Sequence, residues 1–239
     1  MRRAVVVLPL LAICWFAACQ TAPTSTVASW GTMREALHDG HSEGRVDLAG
    51  LGGPGVVGVG ALAGLAGEIT IVDDRVLVAR ADGTACRVES PGPGDRATLL
   101  VRGVADSWLR FPLPDCETYD DLEHAIAARL AELGRDPTAP SPVRIRGRAP
   151  DVAYHVIAGA CPIAHPEGPP PWRYRGPLDP VELVGVYVEG AEGQLTHHMH
   201  SSHLHVVAEG RTGHLDDVAL RDAELLLPKT AAVAGAAVR

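Results

Sequence analysis

From Glu68 to Gly83 the chain reads "EITIVDDRVLVARADG", two alternating runs joined by a pair of aspartates. Residues two apart share a face of a strand, so this pattern predicts a β-hairpin from about Glu68 to Ala81. Similar runs recur as "ATLLVRGVA", "SPVRIRGRAPDVAYHVIAG", "VELVGVYVEG" and "SHLHVVAEG", each with Gly, Pro or Asp at its ends. One segment has the other period. In "TYDDLEHAIAARLAELG", Leu122, Ile126, Leu130 and Leu133 recur at steps of four, four and three, an apolar helical stripe. Thr118 with Asp121 three residues on starts that helix as a capping box, and Gly134 closes it. A shorter helix is expected over Trp30 to His38. The Pro-rich "HPEGPPPWRYRGPLDP" reads as an ordered surface loop. Strands with a few helices among them, without regular alternation, predict an α+β fold of mixed β-sheets with a few inserted helices.

The amino terminus stands apart. "MRRAVVVLPLLAICWFAAC" places two arginines before an apolar run too short to span a membrane, then small residues before Cys19. It reads as a signal peptide over residues 1–18, and "FAAC" resembles a lipobox that would leave Cys19 lipidated. Residues 19–29, beginning "CQTAPTSTVAS", are expected as a flexible leash, residues 30–230 as the folded domain, and 231–239 as a short tail. The expected location is therefore outside the cytoplasm, on a lipid anchor. The formal charge of the whole chain is −8, and with no lysine–arginine cluster no nucleic-acid partner is expected. Beyond Cys19 the cysteines are Cys86, Cys116 and Cys161. Their spacing matches no zinc knuckle, and one optional disulfide plus a buried thiol is the plain reading.

Six of the eleven histidines fall between His197 and His214. In "SHLHVVAEG" the strand period points His203 and His205 to one face and Leu204 and Val206 to the other. Two imidazoles on one face can reach a single ion at about 2.0–2.1 Å, and His214, in "GRTGHLDD", can return on a neighbouring strand as a third ligand. Three protein nitrogens with an open position is the arrangement of a catalytic zinc. "THHMHSS" lacks apolar alternation, so His197, His198 and His200 read as a loop over the site.

These motifs, in order, resemble the α-acetolactate decarboxylase family. The resemblance rests on "EALHDGHSEG", the glycine-rich "GVVGVGALAGLAGE" leading into the hairpin, "ATLLVRG", the single long helix, "VRIRG", "LVGVYV", "HLHVV", "TGHLDD" and "LLLP". It spans roughly Trp30 to Pro228. It implies an acetolactate decarboxylase-like fold, Zn2+ on His203, His205 and His214, and Glu68 and Arg144 as active-site residues. The implied substrate is 2-acetolactate or a related 2-hydroxy-3-keto acid. A zinc ion suits its hydroxyl and keto oxygens, an arginine fork its carboxylate, and a carboxyl group the proton transfer. The chain departs from the family at "GQLTHHMHSS", where an apolar and aromatic lead-in is usual, and at Ala61 and Ala66, where Thr and Asp are frequent. The family's tail glutamate has no counterpart in "KTAAVAGAAVR".

The leading expectation is thus an exported zinc lyase forming acetoin, touching the membrane only through its lipid, with a homodimer as a further expectation. Two alternatives remain open: a non-catalytic metal-binding envelope lipoprotein, and a metalloenzyme for a different substrate. A pure metal binder needs neither Glu68 nor Arg144 aimed at the ion, so the placement of those two side chains discriminates.

Overall fold

The computed structural model describes residues 25–160 and 167–234. The expected signal segment, Cys19 and Cys161 lie outside them. The elements in chain order are β1 (Ser25–Trp30), α1 (Met33–Leu37), β2 (Val46–Asp47), β3 (Val56–Leu62), β4 (Glu68–Val72), β5 (Arg75–Ala81), β6 (Cys86–Glu89) and β7 (Arg96–Val104). There follow β8 (Trp108–Pro112), α2 (Tyr119–Glu132), β9 (Ser141–Val156), β10 (Trp172–Tyr187), β11 (Ser202–Ala208), β12 (Arg211–Pro228) and β13 (Ala232–Ala234).

Two sheets and one helix form three layers. The first sheet runs β13-β1-β7-β3-β4-β5-β6, with β2 paired to β7. The second runs β11-β10-β9-β12-β8, and β11 also pairs with β12, so four strands close on themselves. Alternation along the second sheet sorts its residues. Ile145, Leu183, Leu204, Val206 and Leu225 pack inward with Leu122, Ile126 and Leu130 of α2. Residues one position off, such as Val184 and Val207, face the first sheet and meet Val57, Val59 and Val72. The helical stripe read from the sequence is the one that is buried. Its start is the predicted box, the Thr118 hydroxyl accepting from Asp121 N–H and the Asp121 carboxylate accepting from Thr118 N–H.

The predicted hairpin is present, with Glu68 opposite Ala79 and Val72 opposite Arg75. The chain enters it through Gly67 at φ 148, where an added Cβ would lie 2.2 Å from the Ala79 carbonyl oxygen. Only glycine lets the backbone pass there.

Three expectations are corrected. Residues 25–29, expected as leash, belong to β1, whose β-branched residues are held between β13 and β7. The tail likewise supplies β13, parallel to β1. The segment from Trp172 on is strand, not loop: Trp172 and Tyr174 alternate with arginines and pack on Tyr154 at 5.8 and 5.2 Å. Pro177 and Pro180 fall within its two register shifts, where the missing N–H costs no ladder bond. Cys86 and Cys116 are free thiols. No helix among the described residues is long and apolar enough to cross a membrane.

Candidate active site

The H-x-H reading carries straight into the structure. β11 lies against β10 with Val186 opposite His203 and Val184 opposite His205, which turns both imidazoles toward the first sheet. Gly185, opposite Leu204, has no room for a side chain, since a Cβ would stand 1.9 Å from the His203 carbonyl oxygen. A two-residue turn at Glu209 and Gly210, both with positive φ, returns the chain as β12. His214 then stands directly opposite His205. The three rings lie with centroids 5.0 to 5.5 Å apart. One nitrogen from each falls within 4.8 Å of the others.

These rings are almost out of reach of water, His205 at 0%, His203 at 1% and His214 at 7% exposed. Burial, reinforced by neighbouring imidazoles, drives all three well below the ordinary histidine range, His203 to about 3. All three are therefore neutral at pH 7, the state a metal ligand needs. His205 Nδ1 lies 2.8 Å from the Thr70 hydroxyl, itself 2.7 Å from the Thr212 hydroxyl. With Nδ1–H donating to Thr70, His205 Nε2 is left with a lone pair, and that buried atom has no hydrogen-bond partner. His203 Nδ1 is equally unpartnered. Each such orphan costs about 1–3 kcal/mol in an otherwise satisfied interior. A zinc ion, bound by neutral imidazole nitrogens, removes that cost, so the donor set fits the group the sequence implied.

Glu68 reaches the same place from the other sheet. Its Oε2 lies 3.7 Å from His205 Nε2, and its Oε1 accepts a 3.4 Å hydrogen bond from Ile157 N–H. Desolvation lifts its carboxyl to about 7, against the pull of His155 and the Ile157 N–H.

Arg144 does not join them. It shares a sheet face with His205, two strands away through Val184. Its guanidinium, however, turns to the hairpin turn, where Nη1 and Nη2 meet the Asp73 carboxylate at 2.9 and 3.0 Å and Nε meets Glu182 at 2.8 Å. Glu68 and Asp73 are five residues apart along β4 and its turn, roughly 16 Å at strand rise. Arg144 is thus a clamp between the sheets, and the structure does not bring it together with the histidines and Glu68.

Residues that the sequence did not single out take the vacant ground. A cavity of about 170 Å³ opens from His203, His214 and Glu68 past His155, Arg173 and Asp216, walled by Met33, Leu37, Leu99 and Ile157. His155 stands opposite His214 on β9, its ring 5.0 Å away. The Asp216 carboxylate accepts from His155 Nδ1 at 2.6 Å and from Arg173 Nη1 at 3.0 Å. Asp216 is the extra residue of a β-bulge, since the register slips between Leu215 and Asp217. Leu215 and Val218 both face the core, leaving two aspartates outward between them. Bulges re-aim side chains in this way beside active sites. His197 and His198, from the loop, line the mouth as expected, whereas His200 turns aside to Glu123 at 3.5 Å.

The family model for alpha-acetolactate decarboxylase matches residues 30–161, more than half of the chain. The alpha-acetolactate decarboxylase of Bacillus subtilis strain 168 superposes with a TM-score of 0.67 at 21% identity, over 88% of both chains. The acetolactate decarboxylase of Bacillus subtilis subspecies spizizenii gives 0.65 at 20% identity, over 88% of this chain and 89% of that one. A Staphylococcus aureus protein of unknown function, described as similar to alpha-acetolactate decarboxylase, gives 0.64 at 16% identity over 84% of both chains. At these identities the structures speak for the fold. No curated protein matches the chain.

Proposed function

Because the chain belongs to the alpha-acetolactate decarboxylase family, we propose that it is a zinc-dependent carbon–carbon lyase acting on 2-acetolactate or a close 2-hydroxy-3-keto acid, with acetoin as product. The observation that carries this reading is the meeting of three neutral, buried imidazoles with a buried carboxyl group, at the floor of one small cavity that His203, His214 and Glu68 line. A site for metal storage has no use for Glu68 beside its ligands. The cavity is also well below the roughly 300–1,000 Å³ of sites for drug-sized ligands, which suits a five-carbon acid.

His203, His205 and His214 would hold the zinc, which when bound supplies a Lewis acid for the substrate's hydroxyl and keto oxygens. The chain's own groups do the rest. Arg173 keeps donors free beyond the one given to Asp216 and sits at the rim, where it receives the substrate carboxylate. His155, its Nδ1 held on Asp216, presents Nε2 to the cavity, within reach of a hydrogen bond with the substrate hydroxyl. As carbon dioxide leaves, its electron pair stays on the former carboxyl-bearing carbon. Glu68, behind Ile157 and away from bulk water, is placed to move the proton that this carbon gains. The apolar wall of Met33, Leu37 and Leu99 excludes water that would compete as a proton source.

The test is turnover of racemic acetolactate by the zinc-loaded chain, scored as acetoin, with loss on chelation and recovery on adding zinc back. A fully loaded protein that forms no acetoin over a broad pH range refutes the reading.

A further inference from the structure

The triad is closed on nearly every side, so an ion must arrive through the cavity, one wall of which is the apolar Met33, Leu37, Leu99 and Ile157. A dication crossing it bare would lose hydration worth many kcal/mol. The histidines left over from the site form a graded alternative. His38, at the end of α1, and His198, in the loop, are both exposed, and their Nε2 atoms lie 2.8 Å apart. This closeness is built by the backbone: Met33 N–H and Arg34 N–H donate to Gln194 and Gly193 carbonyls at 2.9 Å, docking the loop onto the helix that carries His38. From His198 the next ring is His197 at 6.0 Å, and from His197 it is 5.1 Å to His214. His197 Nδ1 lies 3.1 Å from the His198 carbonyl oxygen, which can only accept. The proton is therefore on Nδ1, and His197 Nε2 carries a lone pair.

We propose that His38 and His198 form a capture site for a divalent metal ion at the cavity mouth, from which the ion passes by His197 to the buried triad. The inference rests on the triad being the zinc site. Two imidazole nitrogens on a tetrahedral ion at about 2.0–2.1 Å stand roughly 3.3 Å apart. The exposed rings therefore need part only by about half an ångström, and the proton between them moves to the Nδ1 of the ring that carries it, which leaves both Nε2 lone pairs to the ion. Each hand-over exchanges one imidazole or water for the next imidazole, so the ion is never without ligands. Holding it at the mouth raises its effective concentration beside the triad.

A group that speeds loading but is absent from the final complex must speed release by the same factor, since affinity depends only on the end states. The metal-free full chain is mixed with Zn2+ and quenched with chelator at timed intervals, and retained zinc is measured. Release is followed into excess chelator. The paired variant His38→Gln with His198→Gln should load and release roughly tenfold more slowly, with unchanged Kd and one zinc per chain at the end point. His200→Gln, whose ring points to Glu123, should behave as wild type. Paired-variant loading at the wild-type rate overturns the proposal, and so does a weakened Kd, which would put these residues in the final site or in its support. A wild-type chain that binds no zinc ends both this inference and the functional reading. A chain that loads and releases zinc as described but forms no acetoin ends the functional reading alone.

Discussion

Replacing Arg144 by alanine separates a clamp from a catalytic group. Arg144 is only 4% exposed and satisfies two carboxylates, with the ring of Trp108 5.6 Å from its guanidinium carbon. Breaking a fully buried ion pair costs about 3–5 kcal/mol. Here the loss is smaller, because the Asp73 side chain is 45% exposed and rehydrates, while Glu182 keeps Arg146 at 3.0 Å. Roughly 2–3 kcal/mol remains. For a chain of this size that lowers the melting temperature by roughly 4–12 °C. Zinc content and turnover of the folded variant should stay at the wild-type level. The pH dependence carries a second signature. Burial raises the Asp73 carboxyl, but the Arg144 fork and charge, with Gly55 N–H, outweigh it and hold the group below its ordinary 3.8. That stabilisation is present above pH 3.8 and fades as the pH falls below it, because the unfolded chain takes up the proton first. The gap between wild type and variant, read from denaturant unfolding, should therefore narrow on acidification below pH 3.8. Collapsed turnover with an unchanged melting temperature would refute the clamp and return Arg144 to the chemistry.

Alanine at His203, His205 or His214 should abolish stoichiometric zinc, and the zinc-dependent rise in melting temperature should vanish with it; Thr70→Val, which removes the acceptor orienting His205, should weaken zinc binding about 10–100-fold by equilibrium titration. Glu68→Gln should keep its zinc by metal analysis while turnover falls on the order of a hundredfold. Arg173→Ala should cost roughly 1.5–3 kcal/mol of charge-assisted hydrogen bonding, read as a ten- to hundredfold fall in kcat/KM carried largely by KM. The "FAAC" junction motivates a lipid on Cys19, so Cys19→Ser should move the protein from the membrane to the soluble fraction; unchanged membrane attachment would count against the anchor.

Local periodicity made much of the molecule legible. The hairpin, the long helix with its capping box and the H-x-H strand each obey one period without interruption, so neighbouring residues suffice to read them. Legibility fails where the period breaks. From His214 onward strict alternation puts Leu215, Asp217 and Ala219 on one face, which would bury a carboxylate in the core. The slip after Leu215 instead brings Val218 inward beside it and turns both aspartates out. Asp216 thus meets His155 because of a bulge, and a bulge leaves no mark in local hydropathy. Arg173 was hidden differently. Its segment is dense in proline, and two prolines of that strand are tolerated only because register shifts excuse them from pairing.

Arg144 shows the limit of reading a face without its depth. The strand alternation that aims His205 at the first sheet also aims Arg144 there, so face alone admits both to one site. What divides them is position along β4: the Glu68 end meets apolar walls and imidazoles, whereas the Asp73 end is a turn carrying a carboxylate that needs a cation. A buried guanidinium goes where its charge is answered, and at Arg144 two carboxylates answer it. The cation at the cavity rim is instead Arg173, held by the aspartate that also fixes His155. One carboxylate thereby sets the direction of both side chains nearest the triad on that wall. Arg173 and His155 therefore act as a coupled pair, and removing Asp216 should disturb more than either single replacement does alone.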